Sequence, residues 1–119
     1  MSEEILDGKS IIKLMEDTYP EMTGEFKRLM RDQYETFCRK QMNYGPDNIA
    51  LGKDLTKDED KKLSQMGIFF RMNDKIQRIK QLVVLGNDDT VGEVIDDTYK
   101  DLSVYGIIAQ IVKNGKWGK

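Results

Sequence analysis

The sequence contains no histidine and a single cysteine, Cys38. A histidine general base, a His-based triad and a His-containing zinc site are therefore excluded, and no internal disulfide can form. The chain also lacks an excess of either charge: 19 Lys and Arg stand against 21 Asp and Glu, a net of -2. Generic nucleic-acid binding draws on counterion release at a clearly basic surface, so the sequence carries no strong nucleic-acid signal, although it leaves room for local basic clusters. Long hydrophobic runs are missing too. The most apolar stretch, Val104 to Val112, is interrupted by Gly106 and Gln110 and falls far short of the ~20 residues that a spanning helix needs. No membrane segment is expected. The acidic start Met1-Ser2-Glu3-Glu4 leads into no apolar segment, so the expectation is a cytoplasmic protein without a secretory signal.

What is present is 119 residues, 39% hydrophobic and 34% charged, which suits one domain spanning 1–119 and is too apolar for a disordered tail. Apolar residues recur at helical spacing almost throughout, and no period-2 run is long enough to seed a sheet. The expected fold class is all-α, three long helices plus short ones.

A short N-terminal helix, about Lys9–Asp17 within residues 1–20, stops near Pro20. Thr18 and Glu21 offer a capping box, and Pro20 suits a first helical turn. The first long helix carries Met22, Phe26, Leu29, Met30, Phe37 and Gln41 near one side and runs to about Asn43. Tyr44-Gly45-Pro46 ends it, because glycine supplies a left-handed cap and proline cannot extend the ladder. Residues 53–66 read as a charged insert, a solvated short helix or mobile segment, with Thr56 and Glu59 as another capping box. The second long helix is expected from about Ile68 to Leu85, with Phe69, Met72, Ile76, Ile79 and Val83 on its core face.

The third long helix is expected to start at a capping box of Thr90 and Glu93. Its stripe is Val91, Val94, Thr98, Leu102, Tyr105, Ala109 and Val112, and Asn114-Gly115 closes it. A second stripe, Val104, Ile107, Ile108 and Ile111, makes this helix apolar on two sides. Few other helices are available to cover both, so self-association as a dimer or higher oligomer is expected. Residues 114–119 read as a tail in which Trp117 docks on a partner subunit or, more in keeping with its glycines and lysines, is disordered. Cys38 is expected to be a small buried residue.

Two groups of residues could carry chemistry. Glu93, Asp97 and Asp101 form an i, i+4, i+8 ridge, with Asp101 deepest. Three like charges in a row are unfavourable unless something cationic sits over them, and carboxylates so spaced suit Mg²⁺ or a basic partner. The bland alternative makes Glu93 a capping residue and Asp96 and Asp97 partners of the helix dipole. Arg71, Asp74 and Arg78 share the face of the second helix opposite its apolar stripe. Surface pairing would explain them at roughly 0.3–0.5 kcal/mol per pair. Together with Lys75, and with Arg39 and Lys40 before the Tyr44-Gly45 turn, they could instead hold phosphate, with Tyr44 stacking on a base or packing as a helix-end aromatic.

The order of three motifs is more specific than any one of them. They are Arg39-Lys40-Gln41-Met42-Asn43-Tyr44-Gly45-Pro46-Asp47-Asn48-Ile49, then Arg71-Met72-Asn73-Asp74-Lys75-Ile76-Gln77-Arg78, then Glu93–Thr98 with Asp101-Leu102-Ser103-Val104-Tyr105. Over roughly residues 26–113 this order resembles the first nucleotide-modification-associated domain family, found largely in phages and prophages. That family looks like a relative of MazG-type and dimeric dUTPase-type pyrophosphohydrolases. The resemblance implies a MazG-like helical bundle, a nucleotide pocket near Asp74, Asp97 and Asp101, and Mg²⁺ on acidic helices. The sequence departs from those hydrolases: Glu93-x-x-Asp96 is present, but the preceding long helix has no E-x-x-E and Asp74 is its main acid.

Three functions therefore stand side by side. In the first, the protein binds a nucleotide or derivative through Arg39, Lys40, Arg71, Lys75 and Arg78 with Tyr44 at the base, serving nucleotide modification or sequestering a nucleotide signal of host defence. In the second, Asp74, Glu93, Asp97 and Asp101 bind Mg²⁺ for pyrophosphohydrolysis, with Asp97 and Asp101 as the catalytic pair. In the third, the chain is a helical interaction module whose charges are surface and capping residues.

Overall fold

The computed structural model describes residues 7–119, and they form helices, turns and loops with no strand among them. The expectation drawn from Met1-Ser2-Glu3-Glu4 lies outside the described residues. The chain divides into two units, one ending at Cys38 and one from Arg39 to Lys119.

The first unit holds α1, Gly8–Thr18, and most of α2, Pro20–Tyr44. Asp7 caps α1 by accepting the Ser10 N–H at 2.8 Å, which holds its carboxyl below the ordinary aspartate value. Thr18 is no cap for α2, contrary to expectation: it is the last residue of α1, and its hydroxyl donates back to the Leu14 carbonyl at 2.7 Å. Pro20 opens α2 by itself, its fixed φ suiting a first turn where no N–H partner is available. Neither α1 nor α2 buries a residue. Exposed ion pairs such as Lys13–Asp17 and Lys27–Glu16 decorate them and contribute little each. Cys38, expected to be buried, is exposed at the end of this unit.

The second unit begins with the last turn of α2. Gly45 closes that helix at φ +67, its N–H reaching the Gln41 carbonyl at 2.8 Å, as the sequence predicts. The following residues, expected as plain loop, make a single turn, α3 (Asp47–Ala50), which buries Ile49 and Ala50. Leu55 is buried as well, in a left-handed conformation at φ +58. That backbone costs about 1–2 kcal/mol for a non-glycine residue, offset here by placing the side chain in the core.

The charged segment 53–66 is only partly an insert. From Asp58 it forms the first turns of α4, Asp58–Ile79. Asp58, Glu59 and Asp60 complement the positive end of the helix dipole, and Lys57, without a side-chain bond, occupies the capping position. Thr56 therefore does not cap α4. α4 continues as a π-helical turn, Lys80–Val84, and stops before Gly86 at φ +71.

α5 runs Ile95–Lys113 and packs along α4. It starts five residues after Thr90 because Gly92, at φ +76, breaks the backbone before a helix can form. The Thr90–Glu93 capping box is therefore absent, and Val94 takes the cap position without a side-chain bond. Of the expected stripe, Thr98 and Val112 are fully buried and Leu102, Tyr105 and Ala109 half-buried, whereas Val91 and Val94 precede the helix and are exposed. Of the second stripe only Ile108 is buried.

The larger correction concerns α4. Its inward face is Ser64, Ile68, Arg71, Met72, Lys75, Arg78, Ile79 and Leu82, whereas Phe69, Ile76 and Val83 are exposed. The cationic side, expected opposite the core, is turned toward α5. Trp117 is likewise not disordered: it is 7% exposed, and its indole N–H donates to the Pro46 carbonyl at 3.0 Å, seating the tail on the α2–α3 turn.

Candidate functional site

Because Arg71, Lys75 and Arg78 are spaced by four and three, they project from one side of α4 along successive turns. α5 presents Thr98, Asp101 and Tyr105 to them at similar spacing. The result is a polar seam between two helices, where most bundles place hydrocarbon.

Asp101 is the centre of the seam. Its Oδ2 is 3.0 Å from the Lys75 ammonium and its Oδ1 is 3.4 Å from that of Lys40, on the last turns of α2. Asp101 and Lys75 are about four-fifths buried, whereas Lys40 is half exposed. The hydrogen bond to Asp101 raises the Lys75 pKa above the ordinary lysine value, against the opposing effect of desolvation, with Glu93 and Tyr105 adding to the rise. Two cations around one carboxylate leave a net charge of +1 in a chain whose own net charge is -2.

Arg71 donates to the Asn48 carbonyl at 2.8 Å, and its guanidinium carbon lies 6.0 Å from the Tyr105 ring centroid, within cation–π range. Asn48 is itself fixed by reciprocal amide bonds with Gln41, which also donates to the Gly45 carbonyl. The turn after α2 is thus tied to α4 through Arg71.

Arg78 is a clamp. Its Nε donates to the Thr98 hydroxyl at 3.0 Å and its Nη2 to the Glu93 carbonyl. The Asp89 and Glu93 carboxylates stand 3.5 and 3.9 Å away. One guanidinium therefore ties the middle and the last residues of the loop between the π turn and α5 to α4, and satisfies a fully buried hydroxyl.

Of the residues expected to hold phosphate, Lys40 and Lys75 come together on Asp101, and Arg71 lies along the same helix face. Arg78 is occupied by structural partners. Arg39 and Tyr44 are exposed near the end of α2, Tyr44 to 61%. Of the four expected metal ligands, Asp74 is exposed on the side of α4 away from α5, Asp97 is exposed in the first turn of α5, and Glu93 lies in the loop before it. Only Asp101 sits in the seam. No group of three or more Cys, Asp or Glu side chains among the described residues could hold one metal ion. The Asp101 oxygens face ammonium groups, so the donor set of a single chain does not fit Mg²⁺.

Thr98 and Tyr105 were not expected as site residues. A hydroxyl at a core-stripe position was the signal for Thr98, and Tyr105, one helical turn beyond Asp101, was hidden by its apolar ring. No helix among the described residues is long and apolar enough to cross a membrane.

Compared with known proteins, residues 62–112 match the family model described as nucleotide modification associated domain 1. The matched span covers nearly all of α4, the clamped loop and nearly all of α5. It holds Arg71, Asp74, Lys75, Arg78, Glu93, Asp97 and Asp101 and leaves out Arg39, Lys40 and Tyr44. No curated protein and no solved structure matches the chain.

Proposed function

We propose that the protein binds a nucleotide or nucleotide derivative through its phosphate groups, in nucleotide modification or the sequestration of a nucleotide signal. Lys40 and Lys75 are the anion-holding pair. Arg71, beside the Tyr105 ring, supplies a further cation, and Arg39 and Tyr44 lie near the open end where Lys40 reaches solvent. The observation that carries this reading is the convergence of two ammonium groups on the largely buried Asp101, with positive charge in excess. Lysine is a flexible point charge that suits phosphate oxygens. The match to a domain named for nucleotide modification supports the same chemistry.

Arg78 is not a ligand in this proposal, because its donors are spent on Thr98 and Glu93. Pyrophosphohydrolysis would need several carboxylates converging on metal ions, and no observation in the chain favours it over binding.

The test is a thermal-shift screen against canonical, modified and cyclic nucleotides, with and without Mg²⁺, followed by chromatography of any hit. Binding stabilises by mass action, by about 2.7 kcal/mol at a hundredfold excess over Kd. A stabilising nucleotide recovered intact supports the proposal. Recovery as monophosphate and pyrophosphate replaces it with hydrolysis, and absence of any shift leaves the interaction module.

A further inference from the structure

Gly67, Arg71 and Lys75 follow one another at intervals of four on α4, so they form one ridge with about 6 Å of helix between successive positions. Gly67 is a residue that the helix itself does not call for. It lies in the helix interior with ordinary helical backbone, where glycine is less stable than alanine. A Cβ built on it would meet nothing within 4 Å, so no close packing forbids a side chain either. The bare position opens on a recess of about 20 Å³ where α3 meets α4, whose walls include Asn48, Ile49, Leu51, Ile68 and Arg71. That is room for a water-sized group.

Arg71 is held on two sides, by the Asn48 carbonyl 2.8 Å from its Nη2 and by the Tyr105 ring. Among the described residues it has no carboxylate partner. A guanidinium carries five N–H donors. With one Nη2 hydrogen spent on Asn48, a complete edge of two parallel donors stays available, whichever of the two hydrogens that is.

We infer that Arg71 reads the base of the nucleotide and selects guanine. The inference rests on the phosphate reading above: Lys75 holds the phosphate, the sugar spans one helical turn, and the base meets Arg71. Guanine presents O6 and N7 as adjacent acceptors to such a fork, whereas adenine sets an amino donor beside N7. In the usual anti conformer that N7 edge lies on the same side of the base as the 5′-phosphate, and the adjacent acceptors of cytosine, O2 and N3, point away from it. A second phosphate would also accept from the fork, but the hydrocarbon of Ile49, Leu51 and Ile68 beside it suits a ring and leaves an oxyanion unsolvated. Gly67 makes room for the edge of that ring. Because Arg71 is already fixed, little rotamer freedom is lost on binding.

Calorimetric titration of the full chain with GMP, AMP, CMP and ADP tests it. GMP is expected to bind more tightly than AMP or CMP by roughly fivefold to 150-fold, the range of one bidentate base contact. Arg71→Lys keeps the charge and loses the fork, so the preference should fall below about twofold. Gly67→Ala is expected to melt at a higher temperature and yet bind GMP roughly tenfold more weakly, as one methyl group too many does in a fitted site. GMP bound no more tightly than AMP or CMP, or a guanine preference that survives Arg71→Lys, overturns the inference and leaves the phosphate reading standing. ADP bound more tightly than GMP gives Arg71 to a second phosphate and overturns it as well. Binding of none of the four removes both. Should Arg71→Lys fail to fold, Gly67→Ala decides, and a GMP affinity equal to that of wild type overturns the inference.

Discussion

Replacing Asp101 by asparagine separates the two chemistries available to the seam. Asp101→Asn is nearly isosteric and removes one negative charge from between Lys75 and Lys40, 3.0 and 3.4 Å away. The local charge rises from +1 to +2. For a phosphate charge ~5 Å away, one unit charge is worth about 3.3 kcal/mol at an effective dielectric of ~20 and about 0.8 kcal/mol at ~80. Lys40 is half exposed, so screening favours the lower figure, an increase in nucleotide affinity of roughly fourfold to tenfold. Folding stability moves the other way, by about 1–2 kcal/mol, because the charge-assisted bond to Lys75 becomes a neutral one. Isothermal titration of the best nucleotide in low salt, beside urea unfolding, measures both. If Asp101→Asn binds more weakly, or abolishes a Mg²⁺-dependent turnover, Asp101 is a metal ligand and the reasoning fails.

Arg78→Met releases two hydrogen bonds from a charged donor and strands the buried Thr98 hydroxyl, so destabilisation of about 2–4 kcal/mol is expected. Hydrogen exchange in the loop before α5 should rise while the nucleotide affinity of the folded protein stays unchanged; a loss below ~0.5 kcal/mol with loss of affinity would return Arg78 to the ligand set. Trp117→Ala removes a nearly buried indole and its bond to Pro46, a cost of about 2–4 kcal/mol in chemical denaturation, since buried tryptophan truncations run ~3–5 kcal/mol and this one lies near the chain end. The Lys75 pKa is raised in the folded chain, so its stabilisation is complete below about pH 10.4, the unfolded value, and is lost as pH climbs through the higher folded one. The stability difference between wild type and Asp101→Asn should therefore be constant from neutral pH to about that point and shrink above it.

The parts of the fold legible in the sequence were those set by backbone chemistry. Pro20 and Gly45 bound α2, and Asn114-Gly115 closes α5, because φ restrictions act whatever the packing. Capping boxes were a poorer guide, since a threonine hydroxyl has other acceptors: Thr18 turns back to the Leu14 carbonyl, and Lys57, not Thr56, takes the cap position of α4. The orientation of α4 was not legible. Periodicity shows that a helix has an apolar side and a charged side, and the charged side faces inward here because α5 offers Asp101 and Thr98 at matching heights. The same fact drew attention to Lys75 and Asp101 separately, each on a charged face, while hiding that they pair. Trp117 was misjudged because its acceptor, the Pro46 carbonyl, lies far away in sequence.

The central claim is that Lys40 and Lys75 hold phosphate without a metal. Its most direct measurement is calorimetric titration, in EDTA, of the best nucleotide from the screen into wild type and into Lys40→Met and Lys75→Met. Binding should persist in EDTA and weaken in each variant by roughly tenfold or more, as removal of a charge-assisted contact worth ~1.5–3 kcal/mol does. Binding that vanishes in EDTA, or equal affinity in all three proteins, would contradict the account.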